Sequence, residues 1–487
     1  MLILFILAVP MLLALFSVTL GQKLSTVAKM NSLGHLTLFL TALWLMLDVG
    51  LSGKVIQLFN FFYLDALSVF FIFVISLVAL AASLYSITYI EDNVKTGEIS
   101  PKKAAYYYLL FNFFCFSMLL VPSVSNLGMV WAAVEMTTLI SAFLVGFYNT
   151  KQSVEAAWKY IIICSAGIII ALFGTVLLSY AYFLGTGAKS LNWPELLSAG
   201  AVLDKNILKI ALLFILVGYG TKAGLAPMHT WLPDAHSQAV TPGSALLSGV
   251  LLKTSIYVLL RCSMISGASL GPQYFQHLLL MFGLISLVVS CVFILVQSDL
   301  KRLLAYSSIE HIGIICIGFG LATPLAVFGA LLHILNHAAT KALMFFGAGD
   351  VVRKFGKHNM HAIRGVIKTM PFTGSMLLIG LFALTGLPPF SIFISEFLII
   401  FAAIAKGSFW TAGLVLGLVV IIFSAMLSHF SKMLFGKAVK DAEIAHEPLT
   451  GKLAFLFLLI PICLLGLYLP GFLNGTISSA VKVITGA

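Results

Sequence analysis

Charged side chains are scarce in this chain of 487 residues. Only 9% of the residues are Asp, Glu, Lys or Arg, whereas 61% are hydrophobic, and the mean hydropathy is +1.08. A water-soluble protein of this length needs a much larger charged surface, so the composition excludes the soluble class and indicates a membrane protein. The sequence also lacks a long polar segment, so any redox cofactor or catalytic domain is expected on a partner.

Metal-binding and catalytic motifs are missing as well. The six cysteines are scattered, mostly within apolar runs, without a CxxC or Cys/His pattern. This spacing argues against zinc, iron–sulfur clusters and disulfides, and is typical of small buried residues. The sequence has no Walker loop, Rossmann glycine pattern, Ser-His-Asp order or HExxH motif. We therefore expect neither catalysis by this chain alone nor a cofactor or metal within it.

Long apolar runs are what the sequence does contain, and each is long enough to cross roughly 30 Å of hydrocarbon as a helix. The runs predict an all-α polytopic membrane protein with about 14 transmembrane helices. The first run has no basic flank and no small-residue cleavage site, so it is predicted to be a retained span. The fourteen runs cover residues 2–20, 33–51, 60–88, 104–122, 124–147, 159–184, 207–231, 239–262, 275–297, 302–320, 323–350, 371–401, 409–435 and 453–475.

The net charge of +11 is distributed as a membrane topology would require. Loops that follow odd-numbered spans hold 18 of the 28 Lys and Arg residues, and the other loops with the C-terminal tail hold 7, among them Arg261. The positive-inside rule then predicts that both termini lie outside. Because the charge is confined to one face, no nucleic-acid partner is predicted. The three remaining cations are Lys222, Lys253 and Lys341, all within predicted spans.

Glycine and proline interrupt two of the predicted spans. Gly224 and Pro227 interrupt the seventh span, and Gly386, Pro388 and Pro389 interrupt the twelfth. Proline removes a backbone donor and clashes with the preceding turn, so each helix is expected to break there. Irregular backbone at membrane depth is tolerated only inside protein or against water, so both breaks are predicted to line a hydrated cavity. A proline kink that serves packing is the alternative.

The two breaks lie five spans apart, and this odd number would place two five-helix units in opposite orientations. Helices 4–8 and 9–13 are therefore predicted to be inverted repeats with discontinuous helices 7 and 12. The predicted divisions are residues 1–100 for helices 1–3, 101–265 for the first repeat, 266–440 for the second repeat, and 441–487 for helix 14.

Ionisable side chains within the membrane mark ion pathways, and the first half carries three. Glu135 requires a proton or a cationic partner, and Lys222 is the predicted partner. If that carboxylate moves or is neutralised, a lysine in an apolar cavity can release its proton, which would make the pair a switch. A static structural ion pair is the alternative. Lys253 lies near the centre of span eight, too deep to reach an interface easily.

The second half carries a stripe of ionisable residues. His333, His337 and Lys341 follow an i, i+4, i+8 spacing, so they share one helical face. Histidine passes protons through either ring nitrogen, and the stripe is predicted to be a proton wire. The alternatives are histidines satisfied by nearby backbone, and a metal site for which no third ligand is in place. Glu396, two turns after the second break, is predicted to be an ion entry or exit.

Further polar residues are candidates for accessory roles. Glu310 and His311 fall in span ten, and His311 can join the polar line. His229 and Asp234 lie toward a membrane face and can shape an entrance. Asp65, near the outer end of span three, fits a helix start or packing role as well as a channel role.

Five segments of the sequence resemble one known family. They are YLDALSVFF, KAGLAPMHTWLPDAHSQAVTP, LLSGVLLKTSIYVLLR, QSDLKRLLAYSSIEHIGI and LLHILNHAATKALMFFGAGDVV. The chain is similar, over essentially its whole length, to the antiporter-like, proton-translocating membrane subunits of complex I, multisubunit Na+/H+ antiporters and energy-converting hydrogenases. One position departs from the family pattern, since Val240 replaces the second residue of an APTP ending. The Glu310–His311 pair is most similar to the hydrogenase and formate hydrogenlyase branch.

The resemblance implies fourteen spans, two inverted repeats and discontinuous helices 7 and 12. It also implies that Lys253 connects the halves and that Glu396 is the terminal residue, where some relatives carry lysine. The residues to which it assigns proton translocation are Glu135, Lys222, Lys253, His333, His337, Lys341 and Glu396.

The sequence therefore predicts a proton- or cation-translocating subunit of a multisubunit membrane oxidoreductase, of the hydrogenase or formate hydrogenlyase type, in a prokaryotic cytoplasmic membrane. Other membrane subunits and a peripheral redox arm are the predicted partners, with iron–sulfur clusters and a NiFe or quinone site in the arm. Protons, or alternatively Na+, would be transported. The alternatives are a complex I pumping subunit, a Na+/H+ antiporter subunit without redox activity, and a structural scaffold.

Overall fold

The computed structural model describes residues 2–19, 21, 23–437 and 444–486. Helices dominate it, and we number them by predicted span. They are α1 (Leu2–Thr19), α2 (Leu24–Leu45), α3 (Ala66–Lys95), α4 (Pro101–Leu120), α5 (Leu127–Val145), α6 (Lys151–Thr186), α7a (Lys205–Ala223), α7b (Trp231–Gln238), α8 (Thr241–Leu270), α9 (Gln273–Val296), α10 (Leu300–Leu321), α11 (Pro324–Phe355), α12a (Pro371–Leu384), α12b (Ser391–Ala405), α13 (Phe409–Phe435), α14 (Leu449–Leu467) and α15 (Gly471–Thr485).

Shorter elements connect these helices. A π-helical turn, Met46–Gly50, continues α2, and another, Leu247–Leu251, lies within α8. Two strands, β1 (Ile56–Leu58) and β2 (Phe62–Leu64), pair antiparallel with Ile56 opposite Leu64. The remaining short helices are Val121–Ser123, Trp193–Ser198, Gly200–Val202, Met360–Ala362 and Val366–Thr369.

The helical, polytopic fold class is as predicted. Within the described residues, twelve helices are long and apolar enough to cross a membrane: α1 to α6, α7a, α8 to α10, α13 and α14. Helix α11 spans 32 residues and carries the polar stripe, whereas α12a and α12b are shorter apolar helices of 14 and 15 residues. The count of fourteen crossings and the inverted repeats stay predictions.

Several boundaries differ from the predicted ones, and two of these differences have a clear local reason. Helix α3 starts at Ala66 rather than near residue 60, because the Asp65 side chain caps it by accepting a hydrogen bond from the Ser68 backbone N–H at 2.9 Å. The last predicted span ends at Leu467 rather than near residue 475. Pro470 then precedes a separate helix, α15, because proline has no backbone N–H to continue the first one.

The helices that carry ionisable residues lie in the centre. Helix α8 is enclosed by protein along its whole apolar length, and α3 and α10 are nearly so, whereas α1, α6, α9, α13 and α14 expose most of their surface. Large apolar side chains such as Phe143, Trp158 and Leu467 cover the periphery. Because the bilayer penalises polar groups, this arrangement keeps the buried charges away from lipid.

Candidate proton-translocation axis

The chain breaks helices 7 and 12 in the same way. Gly224, after α7a, has φ +81°, and Gly386, after α12a, has φ +65°. This left-handed conformation is available to glycine at little cost. At each break the following leucine N–H reaches back five residues, from Leu225 to the Gly220 carbonyl at 2.9 Å and from Leu387 to the Phe382 carbonyl at 3.0 Å. These bonds cap the C-terminal ends of α7a and α12a, so a carbonyl group at each helix end is satisfied.

Lys222 lies in the last turn before the first break, fully buried. Its Nζ donates hydrogen bonds to Thr138 Oγ1 at 2.9 Å and to the Tyr160 hydroxyl at 2.5 Å. The same atom lies 4.7 Å from the Tyr160 ring centroid and 5.9 Å from the Trp231 ring centroid. Aromatic faces attract a cation, so this pocket can hold the ammonium without a carboxylate in contact.

Glu135 is half-buried on α5 and points to a different neighbour. Its Oε1 accepts a hydrogen bond from Ser165 Oγ, on α6, at 2.7 Å. No direct salt bridge joins Glu135 to Lys222, both of which lie in the described part of the chain, so the predicted direct ion pair is not formed. The ammonium is already surrounded by hydroxyls and rings, and the carboxylate is directed toward α6. Any coupling between the two charges must therefore act across intervening side chains.

Lys253 is the point where the first half meets the polar stripe. Its Nζ lies 2.6 Å from Nδ1 of His337, within hydrogen-bond distance, and it also donates to the Ser248 carbonyl. Ser248 belongs to the π-helical turn Leu247–Leu251, a distortion that is frequent at functional sites. The predicted connecting lysine thus contacts a group that can accept or return its proton.

The buried histidines continue from there. His311 on α10 packs against His337, with ring centroids 4.7 Å apart, and its Nδ1 lies 2.9 Å from Nε2 of His333. His333 Nδ1 in turn lies 3.0 Å from Ser395 Oγ on α12b. A carboxylate oxygen of Glu396 lies 3.9 Å from His311 Nδ1. The chain of contacts therefore runs from Lys253 across α11 and α10 to the second broken helix.

Lys341 leaves the stripe that its spacing predicts. Its Nζ donates to the Leu304 carbonyl at 2.6 Å and to Ser307 Oγ, both on α10, rather than to a histidine. The Leu304 carbonyl also accepts from Ser308 Oγ at 3.0 Å, and Ser308 Oγ lies 2.7 Å from Ser248 Oγ. A second, hydroxyl-based connection therefore links Lys341 to the region of Lys253. The sequence did not single out these serines, because serine is uncharged and their spacing forms no pattern.

Gly386 makes room for the terminal carboxylate. A Cβ atom built at this position would overlap a carboxylate oxygen of Glu396. At Gly224 the corresponding contact is an apolar one, 2.6 Å to a methyl carbon of Leu232. The second break therefore positions an ionisable group directly, whereas the first break packs against a leucine.

The accessory candidates divide into buried and peripheral groups. Glu310 is buried beside His311 on α10, and His229 contacts the rings of Phe293 and Tyr306 at centroid distances of 6.2 and 6.3 Å. Asp234 lies outside the buried chain of contacts, where it binds Arg302 at 2.6 Å and Lys159 at 3.3 Å. The predicted entrance role of Asp234 stays a prediction, since its contacts are peripheral ion pairs.

The structure supplies a third candidate metal ligand that sequence reasoning did not place. One ligand atom each of His311, His333 and Glu396 lies within 4.8 Å of the others. The 2.9 Å contact between the two histidine nitrogens is a hydrogen bond, and a hydrogen bond requires a proton between them. A metal ion would need both nitrogens as lone-pair donors, so the geometry favours proton transfer over metal binding at this point.

Some buried polar groups make contacts that the sequence did not indicate. Arg261, counted as an outer loop residue, is instead buried within α8 and paired with Asp65. His236 is also buried, and its ring stacks on Phe345 at a centroid distance of 4.9 Å. Asp350 near the end of α11 accepts a hydrogen bond from the Tyr85 hydroxyl at 2.7 Å. Each contact joins distant parts of the chain, and a single sequence does not encode such pairings.

Known proteins similar to this chain include components of hydrogenase-4. Hydrogenase-4 component F homolog of Methylacidiphilum infernorum is 37% identical over 386 residues, which cover 79% of this chain and 81% of that protein. Hydrogenase-4 component B of Escherichia coli is 34% identical over 345 residues, 68% of this chain, and this chain spans about half the length of that relative, 49%.

The fold of this chain is also found in solved structures of membrane complexes. A chain from the membrane-bound sulfane sulfur reductase, an archaeal respiratory membrane complex, superposes with a TM-score of 0.88 at 26% identity, over 99% of this chain and 97% of that chain. Residues 124–423, which include every residue of the proposed axis, match the family described as NADH:quinone oxidoreductase/Mrp antiporter, TM. The chain therefore belongs to this family of antiporter-like membrane subunits.

Proposed function

We propose that this chain translocates protons as a membrane subunit of a multisubunit complex of the energy-converting hydrogenase type. The observation that carries the proposal is the buried chain of contacts from Lys253 through His337, His311 and His333 to Glu396. Each member holds or passes a proton, and each neighbouring pair is close enough for a hydrogen bond, a ring contact or a short rearrangement.

The arrangement implies different roles for Lys222 and Lys253. Lys222, held by Thr138 and Tyr160, has hydroxyl neighbours that keep a charge in place. Lys253 shares a proton position with His337, so a change in charge near Lys253 would shift that proton toward the histidines. The positive charges repel one another strongly within protein of low dielectric. Protonation of one lysine would therefore favour release from the next, which links the two halves without a moving domain.

Protons are the favoured cargo over Na+. Hard cations are bound by several oxygen ligands, as carboxylates, carbonyls and water supply them. The central contacts instead consist of lysine ammonium groups and imidazole nitrogens, with Glu396 at one end. Nitrogen groups that carry a positive charge repel Na+, whereas they bind and release H+ directly.

The hydrogenase-type assignment rests on the relatives. Proteins named as hydrogenase-4 components match most of this chain, so we infer a complex with other membrane subunits and a peripheral redox arm. Iron–sulfur clusters and a NiFe or quinone site would belong to that arm. The natural setting would be a prokaryotic cytoplasmic membrane with both termini outside. A complex I subunit and a Na+/H+ antiporter subunit are the competing assignments, and copurification of a metal-binding hydrogenase subunit would distinguish them.

The test is Lys222→Ala in membrane vesicles that carry the parent complex. Redox activity and assembly are measured beside proton pumping, with Lys406→Ala as the matched control, because Lys406 donates to the Leu321 carbonyl at 2.7 Å away from the axis. We expect Lys222→Ala to lose pumping in an assembled, redox-active complex. Intact pumping would mean that the buried lysine serves structure only, as a scaffold would require.

A further inference from the structure

Helix α8 carries a second stripe of polar residues that the proposed axis does not use. Lys253, Tyr257 and Arg261 follow an i, i+4, i+8 spacing, so they share one face of the helix. The stripe runs from the centre of the protein toward the end of α8 at Leu270, which we call the outer end. All three side chains are at most 1% exposed. This face of α8 therefore carries polar groups between Lys253 and the outer end, while the Lys253 Nζ itself contacts the Ser248 carbonyl and His337.

Arg261 is held rigidly on this face. Its guanidinium donates to both carboxylate oxygens of Asp65, at 2.7 and 2.6 Å. It also donates to the Tyr257 hydroxyl and to Ser68 Oγ, each at 3.1 Å, and it lies 4.0 Å from the Trp193 ring centroid. The bidentate bond and the stacked ring fix both position and charge, because a guanidinium does not release its proton in proteins.

An open cavity reaches the other side of Arg261. The cavity has a volume of about 430 Å³ and is lined by the outer part of α8, including Met264, and by the C-terminal helix α15. The Met264 sulfur lies 3.8 Å from Arg261 Nη1. Arg261 and Tyr257 therefore stand between this cavity and Lys253 along α8.

We propose that Arg261 is a fixed-charge barrier that stops the proton on Lys253 from leaving toward the outer cavity. This role rests on the proposed function, since it presupposes that Lys253 carries a mobile proton. A permanent cation repels an arriving proton and does not relay one. The barrier would direct the proton sideways to His337 and so prevent a leak that bypasses the second half. Arg261 is thus a positioning residue for the transport reaction.

A structural clamp is the competing explanation, and the pair offers a way to separate the two. Arg261→Gln and Asp65→Asn break the same salt bridge, but only Arg261→Gln removes the cation. A clamp predicts the same effect for both variants. A charge barrier predicts a proton leak in Arg261→Gln and a leak no higher than that of the wild type in Asp65→Asn.

The experiment measures passive proton uptake into vesicles carrying the whole complex, without redox substrates, under an imposed potassium diffusion potential. Eight residues of helix place the Cα atoms of Lys253 and Arg261 about 12 Å apart, and at an effective dielectric of about 20 the repulsion of two unit charges at that distance corresponds to about tenfold in rate. We therefore expect about a tenfold faster leak in Arg261→Gln. Arg261→Lys keeps the charge but loses the bidentate geometry, so its leak should stay near that of the wild type.

A second variant ties the leak to Lys253. Lys253→Met on the Arg261→Gln background should return the leak to the wild-type rate, because the proton source is gone. If the leak persists, or if Asp65→Asn leaks as fast as Arg261→Gln, the barrier is overturned. Should Arg261→Gln fail to assemble, its combination with Asp65→Asn removes the unpaired carboxylate and takes its place. Failure of the proposed function shows separately, as pumping that survives Lys253→Met alone.

Discussion

The surroundings of Lys222 and Lys253 differ although both lysines are fully buried. The Lys222 ammonium donates to a threonine and a tyrosine hydroxyl, beside two aromatic rings. The Lys253 ammonium instead contacts an imidazole that leads to two further histidines. Hydroxyl groups stabilise a charge at one position, whereas imidazoles take up and release protons near neutral pH. We therefore propose that the first half holds a charge and that the second half conducts one.

The largest expected effect comes from breaking the junction between the two halves. Lys253→Met removes the group that contacts His337, so proton pumping should fall by at least about tenfold, a change that needs only about 1.4 kcal/mol of added barrier. Redox activity of the assembled complex should persist without the corresponding proton pumping. The measurement is pumping per redox turnover in vesicles.

The control for this variant is Lys406→Met, which removes a lysine at the end of α12b that binds only a backbone carbonyl. Equal losses in the two variants would show that the loss does not depend on the contact of Lys253 with His337. The comparison between a holding half and a conducting half would then have no support from Lys253.

The two broken helices allow a matched test of the same comparison. Gly386→Ala places a methyl group against the Glu396 carboxylate, whereas Gly224→Ala places one against Leu232. Both alanines are strained by roughly 1–2 kcal/mol, because a left-handed conformation disfavours any side chain. We expect Gly386→Ala to reduce pumping severalfold more than Gly224→Ala at similar loss of thermal stability.

Glu396→Gln gives the reference for this pair. It removes the titratable group near His311 but keeps the shape of the side chain, so its pumping defect should match that of Gly386→Ala. If Gly224→Ala and Gly386→Ala lose pumping equally, the breaks act through helix geometry alone, and the second one has no special link to Glu396.

Local sequence features predicted much of the fold. Hydropathy located the spans, and Gly224, Gly386 and their prolines marked the two breaks, because glycine and proline act on the backbone within a few residues. The Asp65 cap likewise depends on a neighbour three residues away. The final span was wrong at its end, since the run of apolar residues continues past Pro470.

The site could be predicted only in part, because its geometry depends on packing between helices. The spacing of His333 and His337 gave a shared face, but it gave no reason for Lys341 to turn toward α10. The direct pairing of Glu135 with Lys222 was expected from charge alone. In the structure each of the two side chains instead makes a hydrogen bond to a hydroxyl group, Lys222 to Thr138 and Glu135 to Ser165. The pairing of Arg261 with Asp65 joins residues 196 positions apart, beyond any local pattern.

A smaller effect should follow from removing one of the hydrogen bonds that hold the Lys222 ammonium. Tyr160→Phe removes one hydrogen bond from the Lys222 ammonium but keeps the ring. A hydrogen bond to a charged group contributes about 1.5–3 kcal/mol, part of which the retained ring and Thr138 offset, so we expect pumping to fall by a few-fold rather than to vanish. Thr138→Val is the companion variant, and a complete loss in either would mean that the hydroxyls conduct the proton rather than hold the charge.

The smallest expected effect concerns Glu135, whose carboxylate accepts from Ser165 at 2.7 Å and has its other oxygen without a partner within the described residues. Ser165→Ala removes that one donor, at a cost of about 1–3 kcal/mol to the carboxylate, so the carboxyl band of Glu135 should shift while pumping changes by less than about twofold. The measurement is this carboxyl band in infrared difference spectra, with Ser179→Ala as the control, because Ser179, also on α6, donates to the Ser190 carbonyl at 2.8 Å instead. A large pumping loss in Ser165→Ala with an unchanged carboxyl band would contradict this ranking. It would place Ser165 on the transport path and make the first half a conductor like the second.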